Sequence, residues 1–129
     1  VEVRTVTLDE FWRARGLGDR RLRLIKIDIE GHEAAALRGG REVLARCDLL
    51  LMEYSPKFMQ GAGLDVDEPV DLLVGAGLRP SVFVGERLRA VTPAELRTVA
   101  RQPNVIWSRV PLPVDVVRGA ADGSDSSRE

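Results

Sequence analysis

The chain has 129 residues, of which 44% are hydrophobic and 30% are charged, and these values are typical of a single soluble globular domain. Its 19 basic and 20 acidic residues nearly balance and the arginines are scattered, which argues against a nucleic-acid-binding surface. No apolar run is long enough to span a membrane, and the single cysteine excludes an intrachain disulfide and favours a reducing, cytoplasmic location.

The first predicted elements are a short strand and a capped helix. Residues 1–6 include three valines and look like a strand, so we expect the native amino terminus to lie upstream. Thr7 and Glu10 have the spacing of a capping box, which predicts that a helix begins here. Leu8, Phe11 and Trp12 are expected to share one face of this helix.

A buried strand is predicted over Leu22–Ile29. Its hydrophobic side chains occupy both faces, a pattern typical of a central strand in a parallel sheet. A helical pattern then covers residues 32–46 and is interrupted by Gly39 and Gly40. Each glycine costs a helix about 1 kcal/mol relative to alanine, so the pair predicts either close packing on a neighbouring element or a break into two shorter helices.

The rest of the chain is predicted to add one more buried strand and an antiparallel end. The second buried strand is predicted over Asp48–Tyr54. A helix is predicted to begin at the cap residue Asp67 and to stop at Gly77, with Val70, Leu73 and Val74 facing inward. A hairpin, a second capped helix and a last strand follow. Their predicted bounds are Leu78–Val84 and Leu88–Val91, Pro93–Arg101, and Asn104–Val110.

This order of elements predicts one α/β domain over residues 1–110, with parallel strands in the middle and an antiparallel pair at the end. Residues 111–129 open with prolines and become small, polar or charged from Gly119 onward. We therefore expect an extended, disordered tail.

Polar side chains gather where the two buried strands end, which is where ligands bind in such sheets. The first strand ends in two carboxylates on one face, and Gly31 permits a tight turn that brings an imidazole beside them. The second strand ends in a carboxylate and a tyrosine. The residues predicted to meet there are Asp28, Glu30, His32, Glu53 and Tyr54.

Structural roles for the same residues stay open at this point. His32 stands where it could cap a helix, and the two carboxylates before it could interact with the dipole of that helix. A lysine inside a buried strand needs a carboxylate partner, so we expect Lys26 to pair with a carboxylate such as Glu53 or Asp9. His32-Glu33 also opens a zinc-protease pattern, but Ala36 takes the place of the second histidine.

Four blocks of the sequence, in order and with compatible spacing, resemble the FkbM family of methyltransferases. The strongest block reads KIDIEGHE, and the resemblance extends over about Val1–Arg109. The blocks are Thr7–Phe11, Ile25–Glu33, Leu37–Gly39 and Leu50–Glu53.

The resemblance implies the Rossmann-like sheet of class I methyltransferases, of which this chain would supply the fourth strand onward and the antiparallel final pair. It implies S-adenosylmethionine as cofactor and a small-molecule acceptor oxygen in a natural product, a sugar or a related compound. The glycine-rich loop and the acidic residue that hold the cofactor in that fold do not precede Val1. We therefore expect a carboxyl-terminal half that is inactive by itself.

The same resemblance, with the strand-end geometry, assigns expected roles. His32 would be the general base, oriented by Glu30 or Glu53, and Asp28 would lie near the amino-acid end of the cofactor. Glu53 and Tyr54 would contact the acceptor.

Two other functions remain open. A half-domain could persist as a binding or structural module, and its exposed sheet edge beside Ile25–Ile29 would invite pairing with another chain. A hydrolase could instead hold Mg²⁺ or Mn²⁺ with Asp28, Glu30 and Glu53, with His32 completing the shell.

Overall fold

The computed structural model describes residues 1–99 and 103–113, which contain six helices and five strands. The helices are α1 (Leu8–Ala14), α2 (Glu33–Arg38), α3 (Arg41–Ala45), α4 (Pro56–Gly61), α5 (Glu68–Gly75) and α6 (Pro93–Arg97). The strands are β1 (Leu22–Ile27), β2 (Cys47–Glu53), β3 (Arg79–Val84), β4 (Arg87–Ala90) and β5 (Asn104–Ser108).

The strands form one mixed sheet in the order β1-β2-β5-β3-β4. β1 and β2 are parallel, whereas β5 runs antiparallel to both β2 and β3, and β4 is antiparallel to β3. The predicted α/β class, with a parallel pair followed by antiparallel strands, is therefore confirmed.

The parallel pairing of β1 and β2 determines where polar side chains can meet. Leu22 pairs with Cys47 at one end of the two strands and Ile27 pairs with Met52 at the other. The turn that follows β1 and the last residues of β2 consequently leave the sheet at the same edge.

The position of β1 corrects one prediction. The strand ends at Ile27, before the expected Ile29, and it lies at the margin of the sheet with β2 as its paired neighbour. Leu24, a residue of this strand, is 55% exposed. Apolar residues on both faces predicted burial on both sides, but within this chain only the face that bears Ile25 and Ile27 packs against the core.

One face of the sheet is covered by helices. Leu50 and Met52 of β2 and Trp107 of β5 belong to a buried cluster that also contains residues from α2 to α6. The helical members of this cluster are Leu37, Leu44, Met59, Val70, Leu73 and Leu96.

The opposite face carries apolar side chains that are exposed or only partly buried. Phe83 is 50% exposed and Leu24 is 55% exposed. The strand register places three further partly buried residues between them. We call this surface, formed by Leu24, Leu49, Leu51, Ile106 and Phe83, the open face.

Gly39 and Gly40 satisfy both interpretations of the glycine pair. They separate α2 from α3, and they also lie under the start of α1. A β-carbon built on Gly40 would be 2.9 Å from Cδ2 of Leu8, and one built on Gly39 would be 3.1 Å from Cβ of Thr7. The chain breaks its helix where another helix approaches closely.

The α1 residue Asp9 compensates for the missing side chain at the start of α3. Its two carboxylate oxygens accept hydrogen bonds from the backbone N–H groups of Glu42 and Val43, each 3.1 Å long. These are first-turn N–H groups that have no partner inside the helix. Asp9 therefore serves as a cap supplied from a neighbouring helix.

Other predictions have mixed outcomes. Both capping boxes, which begin at Thr7 and Thr92, and the β3–β4 hairpin are confirmed. Asp67 precedes α5, but its carboxylate makes no capping bond and pairs with Arg97. The predicted strand at residues 1–6 is absent. Val74, which was expected to face inward, is exposed.

The last predicted elements are shorter than expected within the described residues. The final helix is described up to Arg97 and the final strand ends at Ser108. Residues 100–102, at the predicted end of that helix, and residues 114–129, most of the predicted tail, lie outside the described part. No helix in the described ranges has the length and hydrophobicity needed to cross a membrane.

Replacing Asp9 with alanine is expected to lower the free energy of unfolding by about 1–2 kcal/mol, because two N–H groups of α3 lose their acceptor. Urea denaturation measures the change. Asp19→Ala is the control, since it removes a fully exposed carboxylate that pairs with Arg46 on the surface and should change stability much less. Equal losses in the two variants would show that Asp9 is not a cap.

Candidate functional site

The turn after β1 has an unusual backbone. Glu30 has a φ angle of 48° and Gly31 follows with 96°, so two successive residues adopt positive φ values. Left-handed backbone costs a residue other than glycine about 1–2 kcal/mol. Such strain is typical of functional sites, where the surrounding structure enforces it.

Gly31 is required at this turn for two reasons. Its φ value suits glycine, and a β-carbon built there would be 3.2 Å from Cε1 of Phe58 and 3.4 Å from Cδ1 of Leu64. The ring of Phe58, on α4, thus lies directly over the turn.

A cleft of about 320 Å³ opens between this turn, the end of β2 and α4. We call it the strand-end cleft. It is lined by Glu30, Gly31, Glu33, Met52, Glu53, Tyr54, Ser55, Phe58, Met59 and Pro69.

Three of the five predicted site residues line this cleft, namely Glu30, Glu53 and Tyr54. Asp28 does not line it. Its carboxylate lies 3.8 Å from Nζ of Lys26, and both side chains are more than half exposed.

Lys26 therefore pairs with a carboxylate, as predicted, but the two partners named as examples are wrong. Neither Glu53 nor Asp9 pairs with it, because Lys26 lies on the marginal strand and its partner is Asp28. The exposure of that strand removes the burial penalty on which the prediction depended.

His32 lies beside the strand-end cleft but does not line it. It occupies the cap position of α2, is exposed, and makes no capping hydrogen bond with its side chain. It lines a neighbouring space of about 390 Å³, which we call the helix-side groove. That groove is formed by Glu30, Gly31, His32, Ala34, Ala35, Arg38, Phe58, Met59, Ala62, Leu64, Asp65 and Glu68.

Tyr54 is almost completely buried, with 1% of its surface exposed. Its hydroxyl donates a hydrogen bond of 2.9 Å to the carbonyl oxygen of Val66. Burial, reinforced by the nearby Asp67 carboxylate, raises the pKa of the Tyr54 hydroxyl. This hydrogen bond ties Tyr54, directly after β2, to the segment before α5.

Several lining residues were not predicted as site residues. Phe58 and Met59 are on α4, which begins with Pro56 immediately after β2. The available signal was their position: a Ser-Pro helix start directly after a parallel strand places the next turn beside the strand end. The sequence drew attention to Glu33 only as part of an incomplete zinc-protease pattern.

The charge of the strand-end cleft is negative. Glu30, Glu33 and Glu53 line it, and no lysine or arginine among residues 1–99 and 103–113 does. The carboxylates do not converge on a point, since no group of three or more His, Cys, Asp or Glu in the described residues is arranged to hold a metal ion. The metal-dependent hydrolase is therefore not supported, because Asp28, Glu30, His32 and Glu53 do not form the shell it requires.

Replacing Glu30 with glycine is expected to raise the free energy of unfolding by about 1 kcal/mol, because glycine adopts a positive φ without the strain of a β-carbon. Urea denaturation reads the change. The control is Glu53→Gly, at a strand position with extended backbone, which should lose stability. A loss in Glu30→Gly as well would mean that the turn is not strained by its side chain.

Similarity to known proteins indicates the family of the chain. Residues 1–77 match the family described as Methyltransferase FkbM domain. The matched stretch is more than half of the chain and contains every residue that lines the strand-end cleft. No match was found among curated proteins or among solved structures. The chain therefore belongs to the FkbM methyltransferase domain family.

Proposed function

We propose that this chain is the carboxyl-terminal part of an S-adenosylmethionine-dependent O-methyltransferase domain with a Rossmann-like sheet. The observation that carries the proposal is the strand-end cleft: in a chain of a methyltransferase family, a hollow lined by Glu30 and Glu53 lies where two parallel strands end. The domain would comprise residues 1–110 together with a preceding segment, and it would act in the cytoplasm.

The free edge of β1 supports the need for a preceding segment. β1 pairs on one side with β2 and has no strand on its other side within the described residues. Unpaired edges that bear apolar side chains are normally covered in stable proteins. A further parallel strand beside Leu24, with helices over the open face, would bury both surfaces.

The described residues fit the proposed cofactor only in part. Carboxylates at the cleft suit a positively charged methyl donor, and S-adenosylmethionine, when bound, supplies an electrophilic methyl group. Within residues 1–99 and 103–113, however, no glycine-rich turn follows a strand to cradle the rest of the cofactor. We therefore propose that the chain by itself does not methylate.

The residues of the chain would orient the acceptor and take its proton. Methyl transfer is an in-line displacement, which requires an aligned acceptor oxygen and a base within hydrogen-bonding reach. His32 is the proposed base, and we propose that Glu30 or Glu53 orients it; Glu30 is favoured because it lines both spaces. Asp28 is proposed to lie near the amino-acid end of the cofactor, with Glu53 and Tyr54 against the acceptor.

The negative cleft favours some acceptors over others. Three carboxylates accept hydrogen bonds from hydroxyl groups and repel anions. The proposed acceptor class is therefore a neutral, hydroxyl-bearing small molecule such as a sugar or a natural-product alcohol, and not a phosphorylated or carboxylated one.

A second candidate function is a non-catalytic binding module. The same free edge of β1 favours it, because another chain could pair there. Binding of S-adenosylhomocysteine distinguishes the two functions, because a non-catalytic binding module is not expected to bind it.

The deciding experiment compares this chain with a longer protein that also contains the segment proposed to precede it. S-adenosylhomocysteine is expected to raise the melting temperature of the longer protein and to leave that of the isolated chain unchanged. Methyl transfer, measured as release of S-adenosylhomocysteine over a panel of neutral alcohols and sugars, should fall at least ~10²-fold in His32→Ala.

Two control variants distinguish cofactor binding, read as the thermal shift, from methyl transfer, read as turnover. His32→Ala should retain the thermal shift, because the base acts on the acceptor, and Glu2→Gln should retain both shift and turnover. A longer protein that gives no thermal shift would refute the methyltransferase proposal. Unchanged turnover in His32→Ala would remove that residue from the mechanism alone.

A further inference from the structure

The two hollows at the end of the parallel strands share a wall. The strand-end cleft and the helix-side groove have four lining residues in common, namely Glu30, Gly31, Phe58 and Met59. Glu53 and Tyr54 line only the first, and His32 lines only the second. The residues proposed to contact the acceptor and the proposed base thus lie in separate spaces.

The ring of Phe58 forms the part of this wall that can move. Its Cε1 would lie 3.2 Å from a β-carbon on Gly31, so the ring spans from α4 to the turn after β1 and leaves little room between them. Glu30 and Gly31 belong to a turn whose backbone is fixed by two positive φ angles, and Met59 is 95% buried. Phe58 is 50% exposed, and a side chain with one free side changes rotamer rapidly.

Resting on the function proposed above, we propose that Phe58 is a specificity-determining residue that sets the length of the acceptor. With its ring over Gly31, Phe58 separates the strand-end cleft of about 320 Å³ from His32, so an acceptor reaches the base when the ring turns away from Gly31. With the ring displaced or truncated, the cleft joins the groove of about 390 Å³ and admits an elongated acceptor that reaches His32.

The composition of the chain supplies two built-in reporters. It contains one tyrosine and one histidine, and these are Tyr54 in the cleft and His32 in the groove. Their aromatic ¹H–¹³C signals are therefore assigned without further labelling. Each signal reports the occupancy of one space.

The experiment titrates the chain with maltotriose, a neutral and elongated trisaccharide, and follows both aromatic signals by NMR. In the natural chain the signal of Tyr54 is expected to shift, and that of His32 is expected to shift less than in Phe58→Ala, because the ring of Phe58 lies over Gly31. In Phe58→Ala both signals are expected to shift. Phe58→Val is a second variant that opens the wall while keeping a branched side chain on α4.

The matched control is Phe83→Ala. Phe83 is also 50% exposed, but it lies on β3 and lines neither space, so this variant should behave as the natural chain does. A His32 shift that is equal in the natural chain and in Phe58→Ala, or one that is absent from both Phe58 variants, overturns the proposal. Cofactor binding by the longer protein is measured separately. The proposal for Phe58 and the methyltransferase proposal can therefore fail independently.

Discussion

The parallel pairing of β1 with β2 is the constraint on which the rest of the structure depends. Because Ile27 is level with Met52, the turn after β1 and the end of β2 face the same space, and α4 closes it from one side. Glu30 and Glu53, which are 23 positions apart in the sequence, line one cleft for this reason alone. The same pairing leaves the other edge of β1 without a strand in the described residues.

Strain and packing are concentrated around this pairing. Glu30 and Gly31 hold positive φ angles at the mouth of the cleft, while Asp9 caps α3 from the neighbouring helix. The helices thus pack firmly on one face of the sheet, and the open face keeps exposed apolar side chains such as Leu24 and Phe83. The two faces of the sheet therefore differ in how far helices cover them.

Much of this arrangement could be predicted from the sequence, because its signals are local. Both capping boxes, the hairpin and the second buried strand follow from residue spacing over a few positions. The marginal position of β1 could not be predicted. Apolar residues on both faces indicate that a strand is suited to burial on both sides, but they do not show which neighbouring strands are present. Likewise, the separation of His32 from the cleft depends on the backbone angles of the turn, and half-exposed Phe58 gives no periodic signal.

Amide hydrogen exchange along β1 tests the central claim most directly, because it reports whether another strand covers the free edge. In the isolated chain, alternate amides of Leu22–Ile27 point away from β2 and are expected to exchange rapidly. In a protein that also carries the proposed preceding segment, those amides should exchange at least ~10²-fold more slowly, as amides in a central strand do. Equally rapid exchange in both proteins would contradict the account, since β1 would then be a true edge and the chain a module in its own right.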